Sequence, residues 1–258
     1  MSRIIHVHLL PDLIPAGAVE NQSAVILDIL RASSTIVTAF ENGVSAVIPC
    51  GEPSEALRLK THSDGTLLLG GERGGVRIPG FDFGNSPAEY TRAAVAGRRL
   101  AFTTTNGTRA LLKCREASEI AIGCILNLNA LAVWLQRSDR EIHIVCAGTD
   151  GFISGEDVYA AGALVEAVSR LQHSPPVLND SAEIAHLATQ QLIGDSASPT
   201  DTLAKAFEQT RGGRNLIEIG QHHDLPLCAA FNSSRWVPYY DFKTSTLQAE
   251  QVNNSFPP

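Results

Sequence analysis

Short apolar segments alternate with helical segments along the first two-thirds of the chain. The clearest apolar runs, residues 23–29 (SAVILDI) and 141–146 (EIHIVC), each end in polar or glycine-rich residues and are followed by a helical pattern. Near-continuous apolar strands are typical of strands that are covered on both faces. The alternation predicts an α/β fold with a largely parallel or mixed sheet, helices on both of its faces and a helix-rich C-terminal third.

The element boundaries follow from apolar periodicity and from proline, glycine and capping residues. We expect strands at 4–10, 23–29, 44–49, 66–69, 99–103, 118–122, 141–146 and 236–239. We expect helices after Asp28 and at 53–60, 87–96, 127–137, 181–193, 200–209 and 213–220. The chain then divides into an N-terminal α/β half (1–140), a C-terminal α/β and helical half (141–242) and a polar tail (243–258) that we expect to be mobile.

Composition restricts the class of protein. Hydrophobic residues make up 44% of the chain and charged residues 18%, which supports a large core and argues against disorder. The net charge of -7 argues against nucleic-acid binding, although a few arginines can still form a positive pocket for a small anion. Five cysteines without a CxxC pair favour a reducing compartment, and no signal peptide or membrane span is recognisable. We therefore expect a soluble cytoplasmic protein with no nucleic-acid or membrane partner, and we allow for a homodimer.

Four polar clusters follow predicted strand ends. They are Asp28 with Arg31, the glycine-rich loop 72–86, the turn TTTNGT at 103–108, and residues 149–157. Because the carboxyl ends of parallel strands lie along one edge of a sheet, we expect these clusters to line a single crevice.

The side chains in these clusters suit a metal and an anionic substrate. Carboxylate oxygens without histidine or cysteine suit magnesium, and arginines suit phosphate, sulfonate or carboxylate groups. The carboxylates are Asp28, Glu72, Asp82, Glu156 and Asp157, and the arginines are Arg31, Arg73 and Arg77. Further substrate-binding candidates are Asn85, Ser86, Thr104, Thr105, Asn106, Gly107 and Thr108.

Several of these residues also have a purely structural interpretation. Asp28 can close its strand and pair with Arg31, and Glu156 and Asp157 suit the positive end of a helix dipole. His6 and His8 lie on one face of the first strand and form an HxH pair that could bind a metal. We favour a half-buried strand with one polar face, because no familiar partner motif follows later in the sequence.

Known signatures of phosphoryl transfer are absent from the sequence. There is no GxxxxGK[ST] motif, and no cysteine is followed by arginine six residues later. Leu30 stands two residues after Asp28, where aspartyl-nucleophile phosphatases carry a second aspartate. A serine nucleophile at Ser181, in the sequence Asp180-Ser181-Ala182, is far less favoured than helix capping.

Four segments together carry a family resemblance. In chain order, DILRASSTIVTAFENG, GGERGGVRIPGFDFGNSP, TTTNGT and CAGTDGFISGED resemble the 2-phosphosulfolactate phosphatase (ComB) family, from residue 4 to about residue 240. The resemblance implies an α/β fold peculiar to that family. It also implies magnesium-dependent hydrolysis of (R)-2-phospho-3-sulfolactate to 3-sulfolactate and phosphate, a step in coenzyme M biosynthesis. Members occur beyond the organisms known to make coenzyme M, so a related 2-phospho-carboxylate stays open as the substrate.

The resulting hypothesis is metal-assisted phosphoryl transfer to water. Asp28, with Glu72, Glu156 or Asp157, would hold Mg²⁺, and Asp82 or Asp157 would orient the water as general base. A phosphoaspartate at Asp28 stays open. The candidates for catalysis are Asp28, Arg31, Glu72, Arg73, Asp82 and Asp157. Two other functions stay open as well: a magnesium-dependent hydrolase or lyase acting on a small anion without phosphate, and an anion-binding protein without turnover.

Overall fold

Eleven strands form one mixed sheet in the computed structural model, which describes residues 2–63 and 65–253. Their order across the sheet is β5-β4-β6-β3-β11-β10-β7-β2-β8-β1-β9. The strands are β1 (Ile4–His8), β2 (Ser23–Leu27), β3 (Ala46–Pro49), β4 (Leu68–Arg73), β5 (Val76–Arg77), β6 (Arg99–Thr103), β7 (Glu119–Gly123), β8 (Ile142–Cys146), β9 (Val177–Leu178), β10 (Trp236–Asp241) and β11 (Thr246–Gln251).

Helices follow most of the strands, and their first residues explain where several of them begin. Proline opens α2 and α8, and the side chains of Asn179 and Thr210 cap α7 and α9 by accepting backbone N–H groups. The helices are α1 (Ala32–Glu41), α2 (Pro53–Thr61), α3 (Arg92–Val95), α4 (Gly107–Lys113), α5 (Leu128–Leu135), α6 (Gly155–Ser169), α7 (Asp180–Ile193), α8 (Pro199–Phe207), α9 (Arg211–Glu218) and α10 (Asp224–Cys228). None of the helices in the described ranges is long and apolar enough to cross a membrane.

The central strand β2 is covered on both faces, as its continuous apolar sequence predicts. Val25 and Leu27 belong to a core cluster that also includes buried side chains of α5, α6 and α7. Ala24 and Ile26 point to the other face and belong to a second cluster with side chains of α1 and α4. The predicted α/β fold with helices on both faces of a mixed sheet is therefore confirmed.

The sheet contains two parallel blocks that run in opposite senses along the ladder. The strands β7, β2, β8 and β1 are mutually parallel, and so are β3, β6 and β4. Between them, the antiparallel hairpin β10–β11 pairs antiparallel with β7 on one side and with β3 on the other.

Twist nevertheless brings the two blocks together. Sheets twist by roughly 20–25° per strand, so the six steps from β2 to β4 accumulate on the order of 120–150°. Ile26 of β2 accordingly shares one core cluster with Leu68 of β4 and Phe102 of β6. The curled sheet therefore places the ends of β4 and β6 near the end of β2.

The structure differs from the sequence expectations mainly at the C-terminus. The polar segment expected to be a tail from residue 243 forms the strand β11 as far as Gln251, because Leu247 is buried against β3 while polar side chains alternate with it. Residues 254–258 lie outside the described residues. The helix expected at 87–96 is a 3₁₀ turn (Pro87–Glu89) followed by the short α3, separated by the extended residue Thr91. The sheet runs across the expected boundary at 140, since β8 pairs with both β1 and β2.

Candidate active site

A cleft of about 280 Å³ lies where the ends of β2, β4, β6 and β8 face the helix α9. Each of the four polar clusters recognised in the sequence contributes to its wall, so the structure brings the clusters together as expected. The lining residues are Asp28, Leu30, Arg31, Glu72, Gly74, Gly75, Asn85, Thr105, Asn106, Thr149, Asp150, Gly212, Asn215, Leu216, Glu218 and Ile219.

Asp28 lies directly after β2 and is almost fully buried. Its carboxylate accepts from the backbone N–H of Ala32 at 3.4 Å and from that of Gly107. Burial, together with the negative charges of Glu72 and Glu156, nevertheless raises the pKa of Asp28 to about 7. A cation bound nearby would favour the ionised form of Asp28 and would therefore lower its pKa.

Asp157 holds two strand ends together. Its Oδ1 accepts from the backbone N–H of Ile29 after β2, and its Oδ2 accepts from that of Gly148 after β8, both at 2.9 Å. Burial, and then the charges of Glu156 and Asp28, raise the pKa of Asp157 well above its ordinary range. Because both oxygens are engaged by backbone donors, Asp157 positions the cleft and is poorly placed to orient a water molecule.

Glu156 is the neighbouring residue in the first turn of α6, and only 1% of its surface is exposed. Its Oε2 makes no hydrogen bond, although buried polar atoms almost always have a partner. Burial is the main reason why the pKa of Glu156 is raised. The hydroxyls of Thr210 and Ser154 and the backbone N–H groups of Glu156 and Gly212 approach the carboxylate and partly offset this rise in pKa. They leave Oε2 without a hydrogen bond, and a bound cation would supply a partner for it.

Glu72, the fifth residue of β4, connects two turns of the cleft. Its Oε1 accepts from the backbone N–H and the hydroxyl of Thr105 at 2.9 and 3.1 Å, and its Oε2 accepts from the backbone N–H of Gly75 at 2.7 Å. Gly74 and Gly75 have φ of +60° and +77°, a left-handed conformation that glycine adopts without steric cost. The glycine-rich sequence is thus explained by a tight turn that Glu72 fastens to the turn after β6.

Arg31 is held by a buried ion pair. Its Nη1 donates to Asp224 of α10 at 2.6 Å, and its Nη2 donates to the carbonyl of Gly75 at 2.8 Å. Ser86, which we expected to touch the substrate, donates to the other carboxylate oxygen of Asp224 at 2.6 Å. Arg31 is therefore fixed in the cleft wall, and Ser86 acts through Asp224.

The remaining residues of the TTTNGT turn divide between the cleft wall and its support. Thr105 and Asn106 line the cleft. Gly107 begins α4 close to Asp28, since a Cβ at this position would lie 3.1 Å from Asp28 Oδ2. Thr104 is buried, and Thr108 donates to the carbonyl of Cys50 at 3.4 Å, so these two side chains do not line the cleft.

Three predicted site residues lie outside the cleft wall. The Nη2 of Arg73 donates to the carbonyl of Gly51 at 2.9 Å and braces the end of β4. Asp82 pairs with Lys60 at 2.6 Å and accepts from the backbone N–H of Leu69 at 2.8 Å. Arg77 is exposed on β5. Arg73 and Asp82 thus fasten the loop to the sheet, and none of the three side chains lines the cleft. Direct roles for them in catalysis or substrate binding stay a prediction.

Sequence reasoning missed the opposite wall of the cleft. Asn215 and Glu218 of α9 line it, and Asp224 of α10 secures Arg31. One signal was present, namely two adjacent glycines in the first turn of α9, where glycine is a poor helix former. A Cβ at Gly212 would lie 2.0 Å from Glu156 Oε1, so this glycine lets α9 approach the buried glutamate.

The donor set fits magnesium with a partly hydrated coordination shell. The available ligands are carboxylate oxygens, chiefly Asp28 in the cleft wall and Glu156, which is buried against Gly212 of that wall and whose Oε2 has no partner. Within residues 2–63 and 65–253, no three of the cleft carboxylates bring oxygens within 4.8 Å of one another. Magnesium keeps several waters and commonly uses one or two protein carboxylates, so Asp28 and Glu156 suffice.

Comparison with known proteins adds an independent finding. A family model described as 2-phosphosulpholactate phosphatase matches residues 8–243. The probable 2-phosphosulfolactate phosphatase of Symbiobacterium thermophilum is 37% identical over 227 residues, covering 88% of this chain and 94% of the relative. The protein of the same printed name from Thermotoga maritima is 37% identical over 224 residues (87% and 91%), and that from Clostridium perfringens strain 13 is 34% identical over 249 residues (95% and 95%).

Proposed function

Since the chain belongs to the 2-phosphosulfolactate phosphatase family, we propose that it releases phosphate from 2-phosphosulfolactate, or from a closely related 2-phospho-carboxylate, with Mg²⁺ in the cleft. The reaction class is phosphoric monoester hydrolysis, as the names of the relatives state. The charges of the cleft support the proposed dependence on Mg²⁺.

The proposed dependence on Mg²⁺ rests on the excess of acidic side chains in the cleft. Four lining residues are acidic, namely Asp28, Glu72, Asp150 and Glu218, while Arg31 is the sole basic one among the described lining residues. The substrate carries phosphate, sulfonate and carboxylate groups, so the empty cleft would repel it. A divalent cation offsets the carboxylates and makes the site attractive to such an anion.

Asp28 and Glu156 are the residues that would hold Mg²⁺, which when bound supplies neutralisation of charge on the phosphoryl oxygens. Arg31 donates to an anionic group of the substrate from a fixed position, because Asp224 and Gly75 already hold its guanidinium. Asn85 and Asn106 offer further amide donors from the cleft wall.

The attacking water needs a carboxylate that other contacts leave free. Asp157 is engaged at both oxygens, and Asp82 lies outside the cleft wall. Asp150 and Glu218 line the cleft, and neither side chain has a hydrogen bond or ion pair to another described residue. One of these two therefore orients the water and accepts its proton in our proposal. Separate Asp150→Asn and Glu218→Gln variants distinguish the two, because the variant of the general base is the one that lowers kcat.

The experiment is release of inorganic phosphate from synthetic 2-phosphosulfolactate, with phosphoglycolate and phospholactate as comparators. We expect release with Mg²⁺, none after treatment with EDTA, and recovery when Mg²⁺ is restored. Asp28→Asn should abolish release, whereas the matched variant Asp82→Asn should retain most of it. Metal-independent turnover would overturn the magnesium part alone, and inertness of all three compounds with Mg²⁺ would overturn the phosphatase.

A single turnover in ¹⁸O-labelled water, combined with an acid quench, separates direct hydrolysis from a phosphoaspartate. Direct attack places the label in the released phosphate and leaves Asp28 unlabelled. In a single turnover through an acyl phosphate at Asp28, water attacks either the phosphorus or the acyl carbon. Attack at the acyl carbon labels the carboxylate, and trapping of the intermediate by acid quench detects both cases.

A further inference from the structure

A second cluster of metal-ligand side chains lies on β1 and β8, apart from the cleft. These strands pair in parallel with His6 opposite His143, and Glu141, two residues before His143, lies on the same face of the sheet. His6 Nε2 lies 3.0 Å from Glu141 Oε2, and His143 Nε2 lies 3.9 Å from the same oxygen. The three ligand atoms all lie within 4.8 Å of one another.

His143 shows that this cluster is more than a polar strand face. Only 2% of the residue is exposed, and its Nε2 is buried without a hydrogen-bond partner. A half-buried strand with polar side chains, which the sequence favoured, does not account for a buried ring nitrogen left unpaired beside Glu141 and His6.

His8 contacts one of the two ring nitrogens of His143. Its Nε2 lies 3.0 Å from His143 Nδ1, and the backbone carbonyl of Leu13 lies beside the His8 ring. With His8 Nδ1–H directed at that carbonyl, His8 Nε2 accepts from His143 Nδ1–H, and a lone pair remains on His143 Nε2. This is the usual arrangement of a metal-binding histidine, in which a hydrogen bond at one ring nitrogen orients the other toward the ion.

We propose that His6, Glu141 and His143 form a second metal site, for a divalent transition ion such as Zn²⁺, and that His8 orients His143 in it. Two imidazoles and one carboxylate suit Zn²⁺ and its transition-metal neighbours, whereas the all-oxygen donors of the cleft suit Mg²⁺. The three side chains line a pocket of about 340 Å³, which also includes Leu13 and Asn179 and shares no residue with the cleft.

The position of the site in the sheet indicates what a bound ion would do. β1 lies next to the edge of the sheet, where its outer neighbour is the two-residue strand β9. An ion held by His6 of β1, by His143 of β8 and by Glu141, which directly precedes β8, would fasten the outer part of the sheet to its centre. An ion that binds the folded state and not the unfolded state raises the unfolding temperature as its concentration increases.

The test is binding of Zn²⁺ to the whole chain by competition with a chromophoric chelator, in excess Mg²⁺ so that the cleft carboxylates are occupied. We expect one tight Zn²⁺ per chain and a rise in Tm. His143→Gln and Glu141→Gln should each weaken binding by on the order of 100-fold, and His8→Gln by roughly 10–100-fold. His173→Gln changes an exposed histidine outside the cluster and should bind Zn²⁺ as the unmodified chain does.

Co²⁺ gives a spectroscopic readout of the same site. Its visible absorption should show nitrogen and oxygen ligands in the unmodified chain and should be lost in His6→Gln. Glu141 is partly exposed, so Glu141→Gln keeps the test valid even where replacement of the buried His143 prevents folding. Absence of tight Zn²⁺ binding, or equal affinity in Glu141→Gln and His173→Gln, would overturn the proposal.

Discussion

The Arg31 guanidinium and the Asp224 carboxylate lie 2.6 Å apart, and both side chains are buried. The residues are 193 positions apart in the sequence, so this ion pair joins the turn after β2 to α10. Ser86 donates to the second carboxylate oxygen of Asp224 at 2.6 Å, which leaves both oxygens satisfied. Asp224 thus fixes the basic side chain of the cleft from outside the cleft itself.

Asp224→Ala should destabilise the protein by roughly 3–5 kcal/mol, because it leaves the buried charge of Arg31 without compensation. Unfolding in urea measures this free energy. The matched control is Asp12→Ala, which removes an exposed partner of Arg109 and should cost about 0–1 kcal/mol. Similar costs for the two variants would show that the Arg31–Asp224 pair is not the structural tie that its burial indicates.

In the metal-free protein, Asp28 should contribute a loss of stability as the pH rises from about 4 to about 7. Asp28 has an ordinary pKa of 3.8 and a folded-state pKa of about 7, so the folded state binds the extra proton in this interval. The upper bound of the loss is roughly 4 kcal/mol, from three pKa units at about 1.4 kcal/mol each. The difference in Tm between the unmodified chain and Asp28→Asn, measured in EDTA across this interval, tests the sign of this contribution.

Asp28→Asn carries no titrating carboxyl at this position and should lack this contribution. Other groups titrate in the same interval: burial lowers the pKa of His8 and of His143 to about 4, which makes stability rise with pH, whereas the raised pKa of Asp157 makes it fall. In EDTA, the unmodified chain should therefore lose Tm relative to Asp28→Asn as the pH rises, and saturating Mg²⁺ should reverse this difference because it binds the ionised carboxylate. A metal-free unmodified chain that gains Tm relative to Asp28→Asn over this interval would contradict the raised pKa of Asp28.

Arg31→Lys should lower kcat/KM by roughly 10²–10³, since the lysine cannot keep both contacts of the guanidinium and face the substrate as well. Arg73→Lys should stay within about tenfold of the unmodified chain, equivalent to roughly 1.4 kcal/mol. The reason is that Arg73 braces the carbonyl of Gly51 and does not line the cleft. Steady-state kinetics measure kcat/KM for both variants. A loss of more than about tenfold for Arg73→Lys would indicate that Arg73 contacts the substrate.

The sequence predicted the convergence of the polar clusters, although its reasoning used an incomplete topology. The sequence predicts that Asp28 and Glu72 meet because both follow strands of a largely parallel or mixed sheet, in which the carboxyl ends of parallel strands lie along one edge. In the structure β4 runs opposite to β2 along the ladder, and the twist of the sheet brings their ends together. Strand order depends on the hairpin β10–β11, and the sequence predicts a polar tail where its second strand lies, because that strand is polar on one face.

Side-chain roles were harder to predict than positions on strands. Asp82 and Asp157 both follow or flank strand ends, yet backbone N–H groups engage both oxygens of Asp157 and a lysine engages Asp82. Such partners come from distant segments and leave no local pattern. The same holds for His6 and His143, because the pairing of β1 with β8 joins residues more than 130 positions apart in the sequence.

Gly212→Ala should impair the cleft through Glu156. A Cβ at Gly212 would lie 2.0 Å from Glu156 Oε1, so either the carboxylate or α9 must move. We expect a loss of roughly 1–3 kcal/mol in the free energy of unfolding from overpacking. We also expect the affinity for Mg²⁺ to fall by at least about tenfold, because the displaced Glu156 can no longer hold the ion together with Asp28. Titration calorimetry measures this affinity.

The matched control is Gly51→Ala, where the nearest atom to a new Cβ is Glu55 Oε2 at 3.8 Å and the backbone φ is not positive. This variant should keep both its stability and its Mg²⁺ affinity. Glu156→Gln separates the two effects, because it removes the charge without crowding α9. If Gly212→Ala is destabilised but binds Mg²⁺ as tightly as the unmodified chain, then Glu156 is a packing residue. In that case Asp28 holds the ion without Glu156.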